Sequence, residues 1–455
     1  MALNLTFLGG ASTVTGSKYL LDDGNHRLLV DCGLFQGFKA LRLRNWSALP
    51  VPPASIDSVV LTHAHLDHSG YLPLLVKNGY RGKIACTEGT AELCRILLPD
   101  SGHLQEQDAD FANRHRFSKH MPALPLYTEE DAQRSLDRLH PLPFDQLVTL
   151  PCGAQLHFLR AGHILGAATV LLNWHGVTIA FSGDIGRYND PLMADPVTPA
   201  RADYLLMEST YGDRRHDAAD PEEALADIIN ATAHRGGTVV IPSFAVGRAQ
   251  SLLFHIARLK AAGRLPRLLP VFLDSPMAID ATDIFRRHPQ DHRLRAQQLA
   301  LLDGGIHYVR TSTESKALTA NPVPKVIISA SGMATGGRVL HHLERYVPDP
   351  RSAIVFAGFQ AGGTRGAAMV AGEQRIKMYG HYLPVRAKVH NLAMLSAHAD
   401  QDELLRWAKG FTVPPRQTFI VHGEPQSADK LRHVLEEELR WSCLVPDHGQ
   451  TVALT

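Results

Sequence analysis

The sequence predicts an α/β protein in which one α/β domain carries a second α/β domain inserted into it. Three observations carry that prediction. Residues 1–60 and 146–184 are short strand-like runs broken by Gly and Asp turns. From about residue 205 strands alternate with helices, and residues 388–455 return to shorter strands.

The first strands are LNLTFLGG, KYLLDDG, HRLLVDCG and DSVVLTH. Over 68–120 the period changes, and EGTAELCRILL and QEQDADFANRHRF read as two helices. ATVLLNW and VTIAFSGD follow as strands joined by a tight turn. DYLLMES is a strand, and DPEEALADIINATAHRGG is a helix with an Asp cap and a Gly stop. TVVIPS, LLPVFLD, IHYVR and KVIISAS then alternate with helices, the pattern of a parallel sheet covered on both faces. Further helices are expected near 401–410 and 425–438.

A chain of 455 residues, 45% hydrophobic, is long enough to bury a large core and to form two or three domains. Its net charge of +1 neither supports nor excludes a nucleic-acid partner, because a basic groove can be balanced elsewhere. The five cysteines are scattered and show no C-x-x-C spacing, which argues against disulfides and against a cysteine zinc site. The opening run Leu3 to Leu8 has no basic region or cleavage site, and no stretch approaches the ~18 apolar residues of a membrane span. The expectation is a cytoplasmic enzyme with no membrane partner.

The chemistry starts at the end of SVVLTH. His63, His65, Asp67 and His68 place four ligand-type side chains within six residues, where a strand runs into a helix. His63 and His65 share a face in extended backbone, whereas Asp67 and His68 turn away. One ion cannot readily use all four, but two adjacent ions can. RAGHILGAA and FSGDIGR add His163 and Asp184, with glycines flanking the latter to allow close approach. Alone, each would be a cap or turn residue; with the first cluster they supply a third ligand and a bridging carboxylate. Asp31, at the end of LLVDCG, is placed to orient a ligand histidine.

These residues together resemble the metallo-β-lactamase fold. The later segments MESTYGDR, SASGMATGGR, GFQAGGTRG, SAHAD and VHGE resemble its β-CASP branch of RNA-processing nucleases. The resemblance runs over essentially the whole chain in order. It implies an αββα sandwich of residues 1–208 and 388–455, with a parallel-sheet α/β β-CASP domain inserted at 209–387. The stretch between Asp184 and His422 is too long for one loop and fits a domain. The resemblance further implies two Zn2+ per chain. His63, His65 and His163 would hold one, Asp67, His68 and His422 the other, and Asp184 would bridge them. Glu208 and His398 would be the branch's own acidic and histidine motifs. His422 is similar to the RNA-acting members, where the DNA-repair members tend to carry valine. Neither the KH-type extension of the archaeal relatives nor the extra C-terminal domain of the large bacterial 5′ exonucleases is expected from these residues.

Activity expected from these residues is hydrolysis of single-stranded RNA. Two zinc ions ~3.5–4 Å apart lower the pKa of a bridging water and neutralise charge on the scissile phosphate. Asp67 counts among the catalytic residues, and His398, oriented by Glu208, is the candidate general acid for the leaving O3′. Cleavage, expected to be internal, would leave a 5′-phosphate and a 3′-hydroxyl; a 5′-to-3′ exoribonuclease or a DNA nuclease on the same site is the alternative. Glu208 capping the turn at 209–211, and His398 simply preceding a helix, are the competing structural roles. The phosphate-binding candidates are Arg248, Ser329, Ser331, Thr335, Arg338, Thr364 and Arg365, in Gly-rich turns before helices in the inserted domain. RNA is expected in the cleft between the domains. A homodimer is common in the resembled family.

Overall fold

The computed structural model describes residues 3–116, 118–302 and 304–455, so Phe117, the last residue of the second expected helix, lies outside the described residues. Two compact units result: residues 1–215 with 398–455, and residues 216–397.

In the first unit two seven-stranded sheets face each other. One runs Thr451–Leu454, Leu3–Gly9, Lys18–Asp22, Arg27–Val30, Ser58–Val60, Lys83–Thr87 and Leu139–Leu142. The other runs Cys443–Leu444, Gln417–Val421, Tyr204–Glu208, Val177–Phe181, Ala168–Trp174, Gln155–Arg160 and Leu147–Thr149. Period-two patterning explains how they stack. Leu3, Leu5 and Phe7 are buried, while Asn4 and Thr6 between them are only half-buried. Their inward side chains join Leu156, Phe158, Val170, Phe181 and Leu206 in one core between the sheets. The strand Tyr204–Glu208 is buried on both faces, which is why it reads as a continuous apolar run. Leu206 belongs to the inter-sheet core. Leu205 and Met207 pack under helices Gln401–Ala408 and Pro425–Leu439, beside Leu404, Trp407, Leu431 and Leu435.

Between Glu88 and His115 the structure has one 28-residue helix where the sequence suggests two. It passes through Pro99, whose missing N–H and ring break the pattern in sequence; packing of Leu93, Leu97 and Leu98 holds the turn together.

The second unit is a six-stranded sheet in the order Ile306–Tyr308, Val271–Asp274, Val326–Ser329, Val239–Pro242, Ala353–Phe356 and Lys388–Asn391. Every pairing in it is parallel, as the alternation of strands and helices predicts. Both edges of the insertion lie later than 209–387. At the first, Ser209 N donates to His422 O (3.2 Å) and Gln401 N to Arg214 O (3.1 Å), which keeps residues 209–215 in the first unit. At the second, Lys388–Asn391 pairs with Ala353–Phe356 and so extends the inserted sheet.

No helix among the described residues is long and apolar enough to cross a membrane. All five cysteines are free thiols.

Candidate metal centre

The candidate ligands sit where several strands end together. In the first sheet, Asp31 follows strand Arg27–Val30, and His63 lies just beyond the adjacent parallel strand Ser58–Val60. In the second, Asp184 follows Val177–Phe181, Glu208 closes the parallel strand beside it, and His422 follows the next parallel strand. Register pairs Glu208 with Val421, so Glu208 and His422 emerge at the same level. Carboxyl ends of parallel strands are open backbone termini, and ligands collect there. Two loops complete the set. His65 caps the short helix Leu66–Ser69, which carries Asp67 and His68. His163 comes from the loop before strand Ala168–Trp174. Gly186 lets that loop approach the Asp184 loop: a Cβ there would stand 2.0 Å from Gly162 O and 2.6 Å from His163 N.

The side chains form two overlapping groups. His63, His65, His163 and Asp184 offer ligand atoms that all lie within 4.8 Å of one another, and so do Asp67, His68, Asp184 and His422. Asp184 belongs to both, through different oxygens. Its Oδ2 lies 3.4 Å from His63 Nε2 and 3.5 Å from His163 Nε2. Its Oδ1 lies 3.2 Å from His68 Nε2 and 3.4 Å from His422 Nδ1. Asp67 Oδ2 faces His422 Nε2 at 3.3 Å.

The donor chemistry fits divalent cations. His65 Nδ1 stands 3.2 Å from both His63 Nε2 and His163 Nε2, and one imidazole proton cannot bridge both gaps. Burial lowers the pKa of all three, with His65 pulled down to about 3, so they present lone pairs at neutral pH. In the other group, burial also opposes protonation of His68, but the Asp184 and Asp31 carboxylates outweigh it and raise its pKa well above the usual value. Burial disfavours the Asp184 carboxylate too, yet His422, His68 and His63 together hold its pKa far below the ordinary range. The five imidazoles and two carboxylates of the two groups together offer the nitrogen and oxygen set that zinc takes.

Asp31 touches His68 as the sequence suggests: its Oδ2 is 2.7 Å from His68 Nδ1. Its other oxygen accepts from Thr62 N at 2.8 Å, which fixes the carboxylate. Replacing Asp31 by Asn should lower metal affinity about 10- to 100-fold with the fold intact. Competition with a chelator read by a metal dye checks this, and an unchanged affinity would sever the link between Asp31 and His68.

Sequence reasoning missed two hydroxyls. Thr62 Oγ1 donates to Asp31 (2.9 Å) and sits 3.0 Å from His63 Nδ1. Thr210 Oγ1 sits 3.1 Å from His422 Nδ1. The only sequence signal was their place: one precedes the first histidine, and the other lies inside MESTYGDR.

Glu208 and His398 stand beside the cluster. Glu208 is fully buried, and its Oε1 lies 3.2 Å from His398 Nδ1. The same oxygen accepts from Ile185 N at 2.7 Å, and Oε2 accepts from Thr210 N at 3.2 Å. Glu208 therefore caps the turn after its strand and also faces the histidine. His398 pairs in an isolated bridge with Gly186, two residues before Asp400, the cap of helix Gln401–Ala408. Burial pulls its pKa down, but the Glu208 charge and hydrogen bond outweigh this and raise it. Its ring centre is 4.5 Å from that of His163.

Three domain families match the chain: the metallo-beta-lactamase superfamily over residues 13–229, the Beta-Casp domain over 249–369, and the Zn-dependent metallo-hydrolase RNA specificity domain over 382–446. Ribonuclease TTHA0252 of Thermus thermophilus is 38% identical over 92% of this chain and 92% of its own length. The chain belongs to the β-CASP branch of the metallo-β-lactamase superfamily. Transcription termination factor FttA of Methanosarcina mazei is 30% identical, covering 99% of this chain and 72% of its own. A crystal structure of a protein of unknown function from Enterococcus faecalis matches the whole chain with a TM-score of 0.54 at 13% identity, a likeness of fold alone. As a member of the β-CASP branch, the protein is a metal-dependent hydrolase.

The seven phosphate-binding candidates all lie in the β-CASP unit, and most hold it together. Ser329 is buried and donates to Asp274 O (2.8 Å). Arg338 donates to Asp274 Oδ1 (2.8 Å) and Arg310 O (2.7 Å). Thr364 caps helix Arg365–Val370, and Arg365 donates to Lys377 O (2.8 Å) and Thr335 O (3.1 Å). Arg248 is buried at the start of helix Arg248–Ala261. Ser331 and Thr335 are bonded to each other at 3.0 Å in the Gly-rich turn, where Thr335 is exposed.

Proposed function

We propose that this protein is a ribonuclease that holds two zinc ions and hydrolyses phosphodiester bonds of single-stranded RNA, cutting internally. The observation that carries the reading is the split of Asp184: one oxygen faces His63 and His163, the other His68 and His422, at 3.2 to 3.5 Å. A carboxylate shared between two ligand sets is suited to bridging two ions. Zinc held there would supply an acidified water and positive charge opposite the scissile phosphate.

The chain's own residues do the rest. His63, His65 and His163 would hold one ion and Asp67, His68 and His422 the other, with Asp31 and Thr62 fixing the rings. His398, steadied by Glu208 at 3.2 Å, carries a proton at the rim of the cluster and is placed to deliver it to the departing oxygen. As water adds to phosphorus and gives up one proton to solvent, the P–O3′ bond breaks and O3′ takes the His398 proton, leaving a 5′-phosphate and a 3′-hydroxyl; solvent reprotonates His398. RNA as the substrate is further supported by the match to an RNA specificity domain over 382–446 and by the ribonuclease relative. Ser331 and Thr335 are the turn hydroxyls best placed to meet phosphate.

The test is a time course on RNA labelled at its 5′ end, with wild type and His65→Ala, reading zinc content alongside. Internal fragments from wild type alone are expected. Mononucleotides released from the 5′ end would make it an exonuclease. Cutting of DNA in preference would change the substrate, and a zinc-loaded protein that leaves RNA intact would overturn the reading.

A further inference from the structure

We infer that the segment Phe38–Trp46 is a stacking platform for single-stranded RNA, a second contact surface on the metallo-β-lactamase unit. This rests on the reading of the chain as a ribonuclease and adds to it a place where substrate is held away from the ions.

Three features set this segment apart. The first is what it exposes. Phe38 and Leu43 are each 56% exposed and Trp46 is 60% exposed, three large apolar side chains within nine residues. Single exposed apolar residues are ordinary, but a cluster of them marks a contact surface. The helix Lys39–Arg44 between them buries no residue and has no side-chain cap, so neither core packing nor capping accounts for it. The turn continues past the helix, with Trp46 N donating to Leu43 O at 3.1 Å. Trp46 thus follows Leu43 by three and Arg42 by four, the spacing of side-chain neighbours on one helical face.

The second feature is charge. Lys39, Arg42 and Arg44 interleave with the aromatics, and no Asp or Glu occurs from Cys32 to Ile56. Lys39 and Arg42 are exposed, and Arg44, half-buried, lies over the Phe35 ring at 5.5 Å; none of the three meets a carboxylate among the described residues. Aromatic faces interleaved with unpaired cations are what a single strand needs: bases stack on the rings while phosphates meet the cations. A second copy of this chain is a poor occupant, because a two-fold contact through this patch would set three cations against three.

The third feature is where the segment is anchored. Cys32 N donates to His68 O (2.7 Å) and Leu34 N to Leu66 O (2.8 Å), so the segment springs directly from the loop that carries Asp67 and His68. Gly33 lies so close that a Cβ would stand 1.6 Å from Asp67 O. Asn45, buried, closes the far end back onto this base, accepting from Phe35 N (2.9 Å) and donating to Phe35 O (2.8 Å). A strand lying on Phe38 and Trp46 would therefore be tethered to the body that holds the metal ligands.

Trp46 supplies its own probe. Of the four tryptophans, Trp174, Trp407 and Trp441 are buried, so Trp46 is the one open to solvent. The holoenzyme would be titrated with a phosphorothioate-linked oligouridylate, which resists cutting, following tryptophan emission and, separately, the anisotropy of a labelled strand. Emission should be quenched with the same midpoint as the anisotropy rise, and Trp46→Phe should abolish the quench. Phe38→Ala with Trp46→Ala should weaken binding about tenfold or more. Replacing Lys39, Arg42 and Arg44 by Ala should lower the log–log salt slope by about 2. Saturable binding with silent Trp46 and an unaffected double variant would overturn the platform while leaving the ribonuclease reading intact. A wild-type dimer that the double variant converts to monomer would overturn it in favour of a second copy. Failure of the strand to bind at all would overturn the platform; if RNA is also left uncut by the zinc-loaded enzyme, the ribonuclease reading falls too.

Discussion

If the protein holds two zinc ions as proposed, Asp184→Asn is expected to reduce turnover by on the order of 10⁴-fold and to drop zinc to one ion per chain or none. The amide keeps the shape of the side chain and loses both the charge and one of two equivalent acceptors. His68 and His422 would keep their places around the Oδ1 position and His63 and His163 theirs around Oδ2, so the fold should survive. What fails is charge: Asp184 is the carboxylate common to the two ligand groups. Metal analysis together with single-turnover cleavage checks this. Two zinc ions retained with near-normal turnover would mean that Asp184 does not bridge, and that the ion positions are set by the histidines alone.

His398→Ala is expected to behave differently: turnover falls ~10²–10⁴-fold while zinc stays at the wild-type level. The distinction follows from position. His398 Nδ1 is 3.2 Å from Glu208 and 4.0 Å from Asp184 Oδ2, at the rim of the cluster and partly exposed, whereas the ligand candidates meet one another directly. Chemistry offers a sharper readout than rate alone. A diester whose leaving group is a nitrophenolate needs no proton from the enzyme, so its hydrolysis should drop far less than that of RNA. Equal losses on both substrates would remove the general-acid role, and loss of zinc would make His398 a ligand. Glu208→Gln keeps an acceptor for Ile185 N but removes the charge beside the histidine, and should reproduce part of the same selective loss.

Much of the centre was legible because its chain is local. His63, His65, Asp67 and His68 lie within six residues, and their type and spacing state a metal site before any fold is known. His163 and Asp184 were legible as strand-end residues, but only in company. Asp31 could be placed because it closes a strand neighbouring the one that delivers His63. His422, Glu208 and His398 are a different matter. Their meeting depends on parallel pairing between strands far apart in the chain, which no periodicity reveals, and they were reached through the resemblance. Thr62 and Thr210 escaped notice because a threonine at a strand end looks like a strand former, and its second role appears only when a partner ring comes within 3.1 Å. The parallel sheet of the second unit followed directly from alternation. The edges of that unit did not, since residues 209–215 and 388–397 are placed by hydrogen bonds to distant segments, not by their own composition. The Gly-rich turns read as phosphate sites from sequence, and in the structure Ser329, Arg338 and Arg365 also bond within the unit. A small-residue turn needs its neighbours' side chains to satisfy its own backbone carbonyls.

The outer strand pairing has a consequence for how the enzyme comes into being. Leu3–Gly9 pairs on one side with its sequence neighbour Lys18–Asp22 and on the other with Thr451–Leu454, which comes far later in the chain. His422, with the strand that presents it, also arrives only after the whole of the 216–397 unit has been synthesised. On the ribosome the early half of the sandwich must wait with an open strand edge and an incomplete ligand set while an entire second domain emerges and folds. Metal held by both groups would therefore require the chain to have been made at least through His422.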